Sequence, residues 1–328
     1  MKSSFYFFTL TFLFSIITAG SSSATVFRVN NSLTENIPGG LFTTLQRAHE
    51  HFSVKNGDTL MVEGSQKAYE SLTCTKRLVI IGPGYFLGEN SGVNAIVTSA
   101  QVSGVTFKEG SQGSYLIGIE TIYPGLDIYT SNIYVLRCKL STLFFQYASN
   151  CKIVMSHING SIGAYVNNTN ISITNSIIGS DATSTYLSYL TYENNILVGK
   201  NAWEISAGTF RNNILLERDA KVSIKSPNIQ NNLAPNAQFG TDNGNRAYEP
   251  ADLFVSGTSS SDGKYRVKAN SPYVAAGYGG TQPGIFGGSE PYALSGIPPV
   301  PIIYELNVPG TGSAASGLNI NVKIRGAN

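Results

Sequence analysis

Apolar and polar residues between positions 137 and 234 form a short pattern that returns at a nearly constant interval. Six four-residue words mark it: RCKL at 137, SHIN at 156, NSII at 175, NNIL at 194, NNIL at 212 and NNLA at 231. The intervals between them are 19, 19, 19, 18 and 19 residues. A repeat of this length cannot bury its apolar face alone, so the pattern predicts a solenoid in which each repeat packs against the next.

Each repeat contains short segments that alternate with a period of two, which is typical of strands. Apolar residues lie two and four positions before the words at 137, 175 and 194, two positions before those at 212 and 231, and two positions after every word except the first. We expect all of them to point into the interior. An earlier strand of the repeat is predicted to point Tyr147 and Trp203 inward, like Phe210 in the next strand. Three short strands per repeat, stacked in parallel about 4.8 Å apart, predict an all-β, single-stranded right-handed parallel β-helix.

Asparagine opens four of the words, at a predicted bend between two strands. Asn tolerates a left-handed backbone, and its amide can bond to the equivalent amide one coil away. We expect these side chains to point inward as a stacked structural ladder, made of Asn175, Asn194, Asn212 and Asn231.

Patterning outside the repeat divides the chain into three parts. Residues 1–24 hold one Lys, an apolar run and then small residues, which predicts a signal peptide too short to span a bilayer. No later segment is predicted to cross a membrane. Residues 25–292 are predicted to be the β-helix, with a capping helix near 40–53 that buries Leu45, Ala48 and Phe52 and with an irregular C-terminal closure. Residues 293–328 read as a Pro-rich hinge and a C-terminal strand or tail.

Composition removes several functional classes. The formal net charge is +2, which gives no electrostatic reason to expect a nucleic-acid partner. The three cysteines, Cys74, Cys138 and Cys151, are expected to be small buried residues rather than a disulfide or a nucleophile. The three histidines do not stand at metal-ligand spacing. We therefore predict no metal and no cofactor.

Two longer stretches resemble known proteins. PGGLFTTLQRAHEHFSVKNGDTLMVEG, followed by RLVIIGPG, is similar to the N-terminal cap of secreted right-handed parallel β-helix proteins of the pectate-lyase-like superfamily. YRVKANSPYVAAGYGGTQPGIFGGSEPYALSGIPPVPIIYEL is similar to the C-terminal closure of exported Bacteroidetes β-helix proteins. The resemblance implies secretion or display on the surface of a Gram-negative bacterium. It does not imply one activity, since that superfamily includes lyases, hydrolases, epimerases and non-catalytic proteins.

Acidic residues give little support for catalysis. Glycosidases need paired carboxylates in one small site, yet the outward acids Asp127 and Glu204 are predicted to lie four coils apart, about 19 Å. Clustered acids for calcium are also missing from this face. We therefore predict no catalytic residues. A polysaccharide lyase with a non-standard site is the alternative, and a purely structural surface spacer is a second one.

One surface favours ligand binding. Tyr129, Gln146, Tyr165, Asn167 and Tyr186 are predicted to point outward on one column of the first strand. Tyr rings stack on sugars, and amides beside them donate and accept hydrogen bonds. Exposed Tyr is also common in strands without any binding role. The hypothesis is a secreted or cell-surface scaffold for binding or adhesion, without catalytic power and with a polysaccharide as its expected partner.

Overall fold

The protein is described here by a computed structural model of residues 24–165, 168–179, 187–188, 190–199, 202–257, 260–315 and 317–326. The predicted signal peptide up to residue 23, Asn167 and Tyr186 lie outside these residues, and the side chain of Trp203 is not described either. No helix in the described part of the chain is long and apolar enough to cross a membrane.

The chain winds into a parallel β-solenoid of about eight turns, which confirms the predicted all-β parallel β-helix. The first sheet contains strands Val26–Val29, Leu41–Phe42, Thr59–Val62, Val79–Ile81, Tyr115–Ile117, Tyr134–Leu136, Lys152–Val154, Ser172–Thr174, Leu190–Glu193, Ala202–Arg211, Lys221–Lys225 and Ile229–Gln230. The second sheet contains Leu72–Cys74, Gln101–Phe107, Glu120–Ile128, Lys139–Leu140, Leu143–Phe145, His157–Ile158, Ile162–Ala164, Ile177–Ile178, Ile196–Leu197, Ile214–Leu215, Leu233–Ala234 and Arg246–Ala247. Asn168–Thr169 and Leu187–Ser188 form a separate parallel pair.

Helices are short and few in the described chain. The helix Leu45–Glu50 is shorter than the predicted 40–53, and Thr44 caps it by accepting a hydrogen bond from the Arg47 backbone N–H. Its Leu45 and Ala48 are buried as expected, but Phe52 lies beyond its end and is 78% exposed, so the prediction for Phe52 is wrong. The remaining helices are Pro250–Leu253 and the 3₁₀ turns Gly263–Tyr265, Tyr278–Gly280 and Leu294–Gly296.

In the segment just before each word, the side chains that lie in the interior of the coil are those that the alternation predicts. Most of the predicted inward residues there are buried, namely Ile133, Val135, Ile171, Ile173, Leu190, Tyr192 and Phe210. The last one, Ile229, is partly buried and packs against this core. Residues from successive coils lie directly above one another, as in the register that joins Ile153 to Ile173, Ile173 to Tyr192 and Tyr192 to Phe210. These side chains form one continuous core along the axis.

The register observed at the bends differs from the predicted one. Left-handed backbone occurs at Arg137, Met155, Asn175, Asn194, Asn212 and Asn231, so the second word begins at Met155 rather than at Ser156. A left-handed residue interrupts the alternation, and the residue that follows it turns into the interior. Asn195, Asn213 and Asn232 are fully buried there, whereas the preceding Asn points to the outside of the coil. The predicted inward orientation of the left-handed asparagines is therefore wrong.

A polar ladder lies one residue later than expected. Asn195 Nδ2 donates to Asn213 Oδ1 at 3.1 Å, Asn213 Nδ2 donates to Asn232 Oδ1 at 3.1 Å, and Asn232 Nδ2 donates to Asn245 Oδ1 at 3.0 Å. Each Oδ1 also accepts the backbone N–H of the coil before it, as Asn213 Oδ1 does from Asn195. Ser156 and Ser176 occupy this position in earlier coils. The ladder pairs polar groups that the bend would otherwise leave buried and unpaired.

The aliphatic residue two positions after each left-handed residue also points outward. Ile177, Ile196, Ile214 and Leu233 were predicted to be inward, as was Ile158, and only Ile158 joins the interior core. The other four are fully buried because the C-terminal segment, residues 276–297, packs over them and contributes Ala276, Ile285 and Tyr292 to a second apolar core.

The left-handed asparagines hold the C-terminal segment. Asn231 Nδ2 donates to Ala276 O, Asn212 Oδ1 accepts from the Tyr278 backbone, Asn194 Nδ2 donates to Gly284 O, and Asn175 Nδ2 donates to Gly287 O. One bond joins two of these side chains, from Asn212 Nδ2 to Asn194 Oδ1 at 3.2 Å. The C-terminal segment therefore runs back along the solenoid, from its last coils toward its first.

Strands Ile302–Asn307 and Asn321–Arg325 form an antiparallel pair, the C-terminal hairpin, after the C-terminal segment. The backbone N–H of Ala95 donates to Ile303 O, and Arg325 Nη2 donates to Val93 O. These bonds place the C-terminal hairpin beside the loop at residues 93–95.

A half-buried histidine beside the second core, His157, predicts a pH effect, and its ring centroid lies 5.3 Å from that of Phe86. Burial, with smaller contributions from the charges of Lys139 and Lys264, lowers the pKa of His157 to about 3. The unfolded chain takes up a proton near pH 6.5 and the folded chain does not, so stability is complete above pH 6.5 and falls toward pH 3. The loss is at most about 1.4 kcal/mol per pH unit.

The variant His157→Ile tests this effect, because Ile177 occupies the equivalent position in the next coil. Urea unfolding at several pH values should show a shallower decline below about pH 6.5 for the variant than for the wild type. Identical slopes for the two proteins would contradict the assignment.

Candidate ligand-binding ridge

Four strands of the second sheet build the surface that the sequence singles out. Gln101–Phe107, Glu120–Ile128, Leu143–Phe145 and Ile162–Ala164 pair in register, with Phe107, Ile128 and Phe145 stacked in the interior. The alternate positions point outward in two columns. One column holds Thr106, Asp127, Phe144 and Gly163, and the other holds Lys108, Tyr129, Gln146 and Tyr165.

Three aromatic side chains on these columns form a continuous row, which we call the aromatic ridge: Tyr129, Phe144 and Tyr165. The centroid of the Phe144 ring lies 6.5 Å from that of Tyr129 and 4.8 Å from that of Tyr165, with the latter pair edge to face. Tyr129 is 37% exposed and Tyr165 is 59% exposed. Each aromatic ring therefore contacts its neighbour and still presents surface to solvent.

The bends at the end of these strands are fixed by buried polar contacts. Asn168 is buried, and its Oδ1 accepts the backbone N–H of Ala148 at 2.9 Å while its Nδ2 donates to Tyr165 O. Tyr147 was predicted to be inward, but it has a left-handed backbone and is 56% exposed, while Ala148 is buried. The reason is the same as at the other bends: a left-handed residue reverses the alternation. Tyr147 thus adds another exposed ring beside Gln146.

Polar groups accompany the aromatic ridge on one side. Asp127 is half-buried, and burial raises the pKa of its carboxyl above the usual range. Asp127 lines a shallow depression of about 570 Å³ together with Thr106, Lys108, Glu109 and Tyr129. A carboxylate in this place can accept hydrogen bonds from the hydroxyl groups of a ligand, and the Lys108 ammonium can donate them.

The structure brings together three of the five residues predicted to bind a ligand. Tyr129, Gln146 and Tyr165 lie at the same position of three successive coils, whereas Asn167 and Tyr186 fall outside the described residues. Sequence reasoning missed Phe144, although its signal was present. It stands two positions before Gln146 in the same alternation, and it pairs with Asp127.

The three cysteines are the thiols that could act as nucleophiles. Cys74, Cys138 and Cys151 are free and buried, and burial raises the pKa of each thiol, to about 11 for Cys74 and Cys151 and about 12 for Cys138. Such thiols are poor nucleophiles near neutral pH. The described residues contain no group of three or more His, Cys, Asp or Glu side chains that could hold a metal ion.

Comparison with known proteins gave no match: no protein-family model, curated protein or solved structure corresponds to this chain. The aromatic ridge must therefore be interpreted from its own geometry.

Proposed function

We propose that the protein is a non-catalytic scaffold, secreted or displayed on the cell surface, that binds a polysaccharide along the aromatic ridge. The observation that carries the proposal is the unbroken row of Tyr129, Phe144 and Tyr165 beside Gln146 and the half-buried Asp127. The apolar faces of sugar rings stack on aromatic side chains, and sugar hydroxyls bond to amides and carboxylates.

The spacing of the coils suits an extended chain of sugars. Tyr129 and Tyr165 are two coils apart, about 10 Å at one strand spacing per coil, and Gln146 lies between them. The backbone at Tyr129 is held between two parallel strands, and Tyr165 N–H donates to Phe145 O of the neighbouring strand, so the rings are positioned before a ligand arrives. A preformed surface loses less conformational entropy on binding than one that must order its side chains.

Replacing Tyr129 and Tyr165 together with Ala is expected to abolish retention of the protein on immobilised glycans. Both side chains point outward, so the free energy of unfolding, measured with urea, should change by less than about 1 kcal/mol. A panel of acidic and neutral polysaccharides, measured by affinity electrophoresis, would show which glycans retain the wild type.

The matched control is Tyr278→Ala, because Tyr278 is 52% exposed but belongs to the C-terminal segment. This variant should bind as the wild type does. If the double variant is still retained on the glycans, the binding site does not lie on the aromatic ridge. The absence of any binding across the panel would favour the structural spacer instead.

A polysaccharide lyase is the second candidate, because one observation favours it. Lys108, Glu109 and Asp127 line the same depression as Tyr129, which places a candidate base beside acidic groups. A lyase removes a proton from the carbon beside a uronate carboxylate and breaks the glycosidic C–O bond on the next carbon. The leaving oxygen takes up a proton, and the carbon–carbon double bond that remains absorbs in the ultraviolet. Unsaturated products from an acidic glycan, lost in a Lys108→Ala variant, would establish catalysis and overturn the non-catalytic proposal.

A further inference from the structure

A second cavity lies between the solenoid, the C-terminal segment and the C-terminal hairpin, away from the aromatic ridge. Its volume is about 240 Å³. Most of its wall is apolar and includes Leu294, Ile297, Val300 and Ile302. The only charged side chains among the described residues that line it are two arginines, Arg137 and Arg325.

Arg137 carries a positive charge that no acidic group compensates. Its Nη1 donates to Ile297 O at 2.7 Å, while its Nε is buried and has no hydrogen-bond partner within the described structure. Burial lowers the pKa of Arg137, and the one group that opposes this is Tyr85, whose own pKa is raised well above 10 by burial. Tyr85 is thus neutral at physiological pH.

The position of Arg137 makes its charge unusual within the solenoid. Arg137 has the left-handed backbone that Asn175, Asn194, Asn212 and Asn231 have in later coils. Those four are neutral, and all four bond to the C-terminal segment. An Asn in place of Arg137 would be enough to make a hydrogen bond to the backbone of the C-terminal segment. The guanidinium adds four further N–H donors and a charge, and a charge in an apolar wall is costly unless it is paired.

Arg325 brings the second charge from the C-terminal hairpin. Its Nη2 donates to Val93 O at 3.2 Å, and its guanidinium lies 5.6 Å from the centre of the Tyr304 ring. Neither contact neutralises its charge. The two arginines therefore enter one cavity from the solenoid and from the C-terminal hairpin.

We propose that this cavity is a binding site for a small organic carboxylate. A planar carboxylate accepts paired hydrogen bonds from a guanidinium, and it would supply the negative charge that the cavity lacks. The apolar wall would hold the carbon skeleton of the ligand, and the volume admits only a small molecule. Bound carboxylate would also join the solenoid to the C-terminal hairpin through Arg137 and Arg325.

Benzoate, acetate and inorganic phosphate are the probes, titrated separately into the full chain by calorimetry and by thermal unfolding. Benzoate should bind and raise the unfolding midpoint, since a ligand held only by the folded state stabilises it. Acetate should bind more weakly because it leaves the apolar wall uncovered. Arg137→Asn should weaken benzoate binding by about tenfold to a hundredfold, the expected loss for a charge-assisted partner.

The Arg137→Asn variant carries the residue that four later coils use at this bend, so it should fold. Val300→Phe fills the cavity without altering a charge and should also abolish binding. Arg246→Gln removes an exposed arginine elsewhere and should leave affinity unchanged. Benzoate affinity that is equal in Arg137→Asn and the wild type would overturn the site. Tight binding of phosphate with none of benzoate would overturn the carboxylate as its ligand.

Discussion

Replacing Phe210 with Ala is expected to lower the free energy of unfolding by about 3–5 kcal/mol. Phe210 is fully buried in the interior core, with its ring centre 6.1 Å from that of Tyr192 and 5.3 Å from that of Phe239. Removing the ring leaves a cavity between stacked coils, and their backbone hydrogen bonds prevent the neighbouring strands from collapsing into it. Urea unfolding, with the midpoint and slope fitted together, measures the loss.

Phe52→Ala is the matched control, since this ring is 78% exposed. It should change the free energy of unfolding by less than about 1 kcal/mol. An unchanged midpoint for Phe210→Ala would mean that this strand faces outward, and the direction of the neighbouring columns would have to be reversed.

Replacing Asn213 with Ala is expected to cost about 3 kcal/mol, because it breaks the polar ladder inside the coil. Asn213 Nδ2 donates to Tyr192 O and to Asn232 Oδ1, and its Oδ1 accepts from the backbone and side chain of Asn195. An Ala leaves several of these buried groups unpaired, and water cannot reach them. Chemical unfolding measures the loss, and circular dichroism checks that the solenoid is retained.

Asn213→Ser is the informative companion variant. Ser176 occupies the equivalent position in an earlier coil, where its Oγ accepts the backbone N–H of Ser156 at 3.0 Å. Serine should therefore recover part of the stability that alanine loses. Asn236→Ala, which removes an exposed amide bonded to Arg218, should cost less than about 1 kcal/mol. Equal losses for the Ala and Ser variants at 213 would argue against a role for the ladder.

The repeat in the sequence was enough to predict the solenoid, and the alternation before each bend was enough to predict its interior. Ile173, Tyr192 and Phe210 are buried as expected because a strand allows only two directions for a side chain. The same alternation placed Tyr129, Gln146 and Tyr165 on one outward column. The inward or outward direction of a side chain within a strand is a local property, and the alternation within a single repeat is enough to predict it.

The bends show where local reasoning failed. A left-handed backbone at the first asparagine of NSII, NNIL and NNLA was expected and is observed, but the prediction continued the period of two through this residue, and a left-handed residue reverses the alternation. Asn194 and Asn195 are both buried, but Asn194 bonds to the C-terminal segment and Asn195 to the interior ladder. Tyr147 was assigned to the wrong side for the same reason.

The sequence by itself determined the all-β solenoid, its interior columns before each bend and the outward row of Tyr129, Gln146 and Tyr165, because these follow from a period of two within strands and of about 19 between them. Only the tertiary structure decided that the C-terminal segment covers Ile196 and Ile214 and that Arg137 and Arg325 enter one cavity. These features bring together residues that are far apart in the sequence, such as Arg137 and Arg325 at the cavity. They depend on where the chain returns after the last coil, and no local pattern encodes that path.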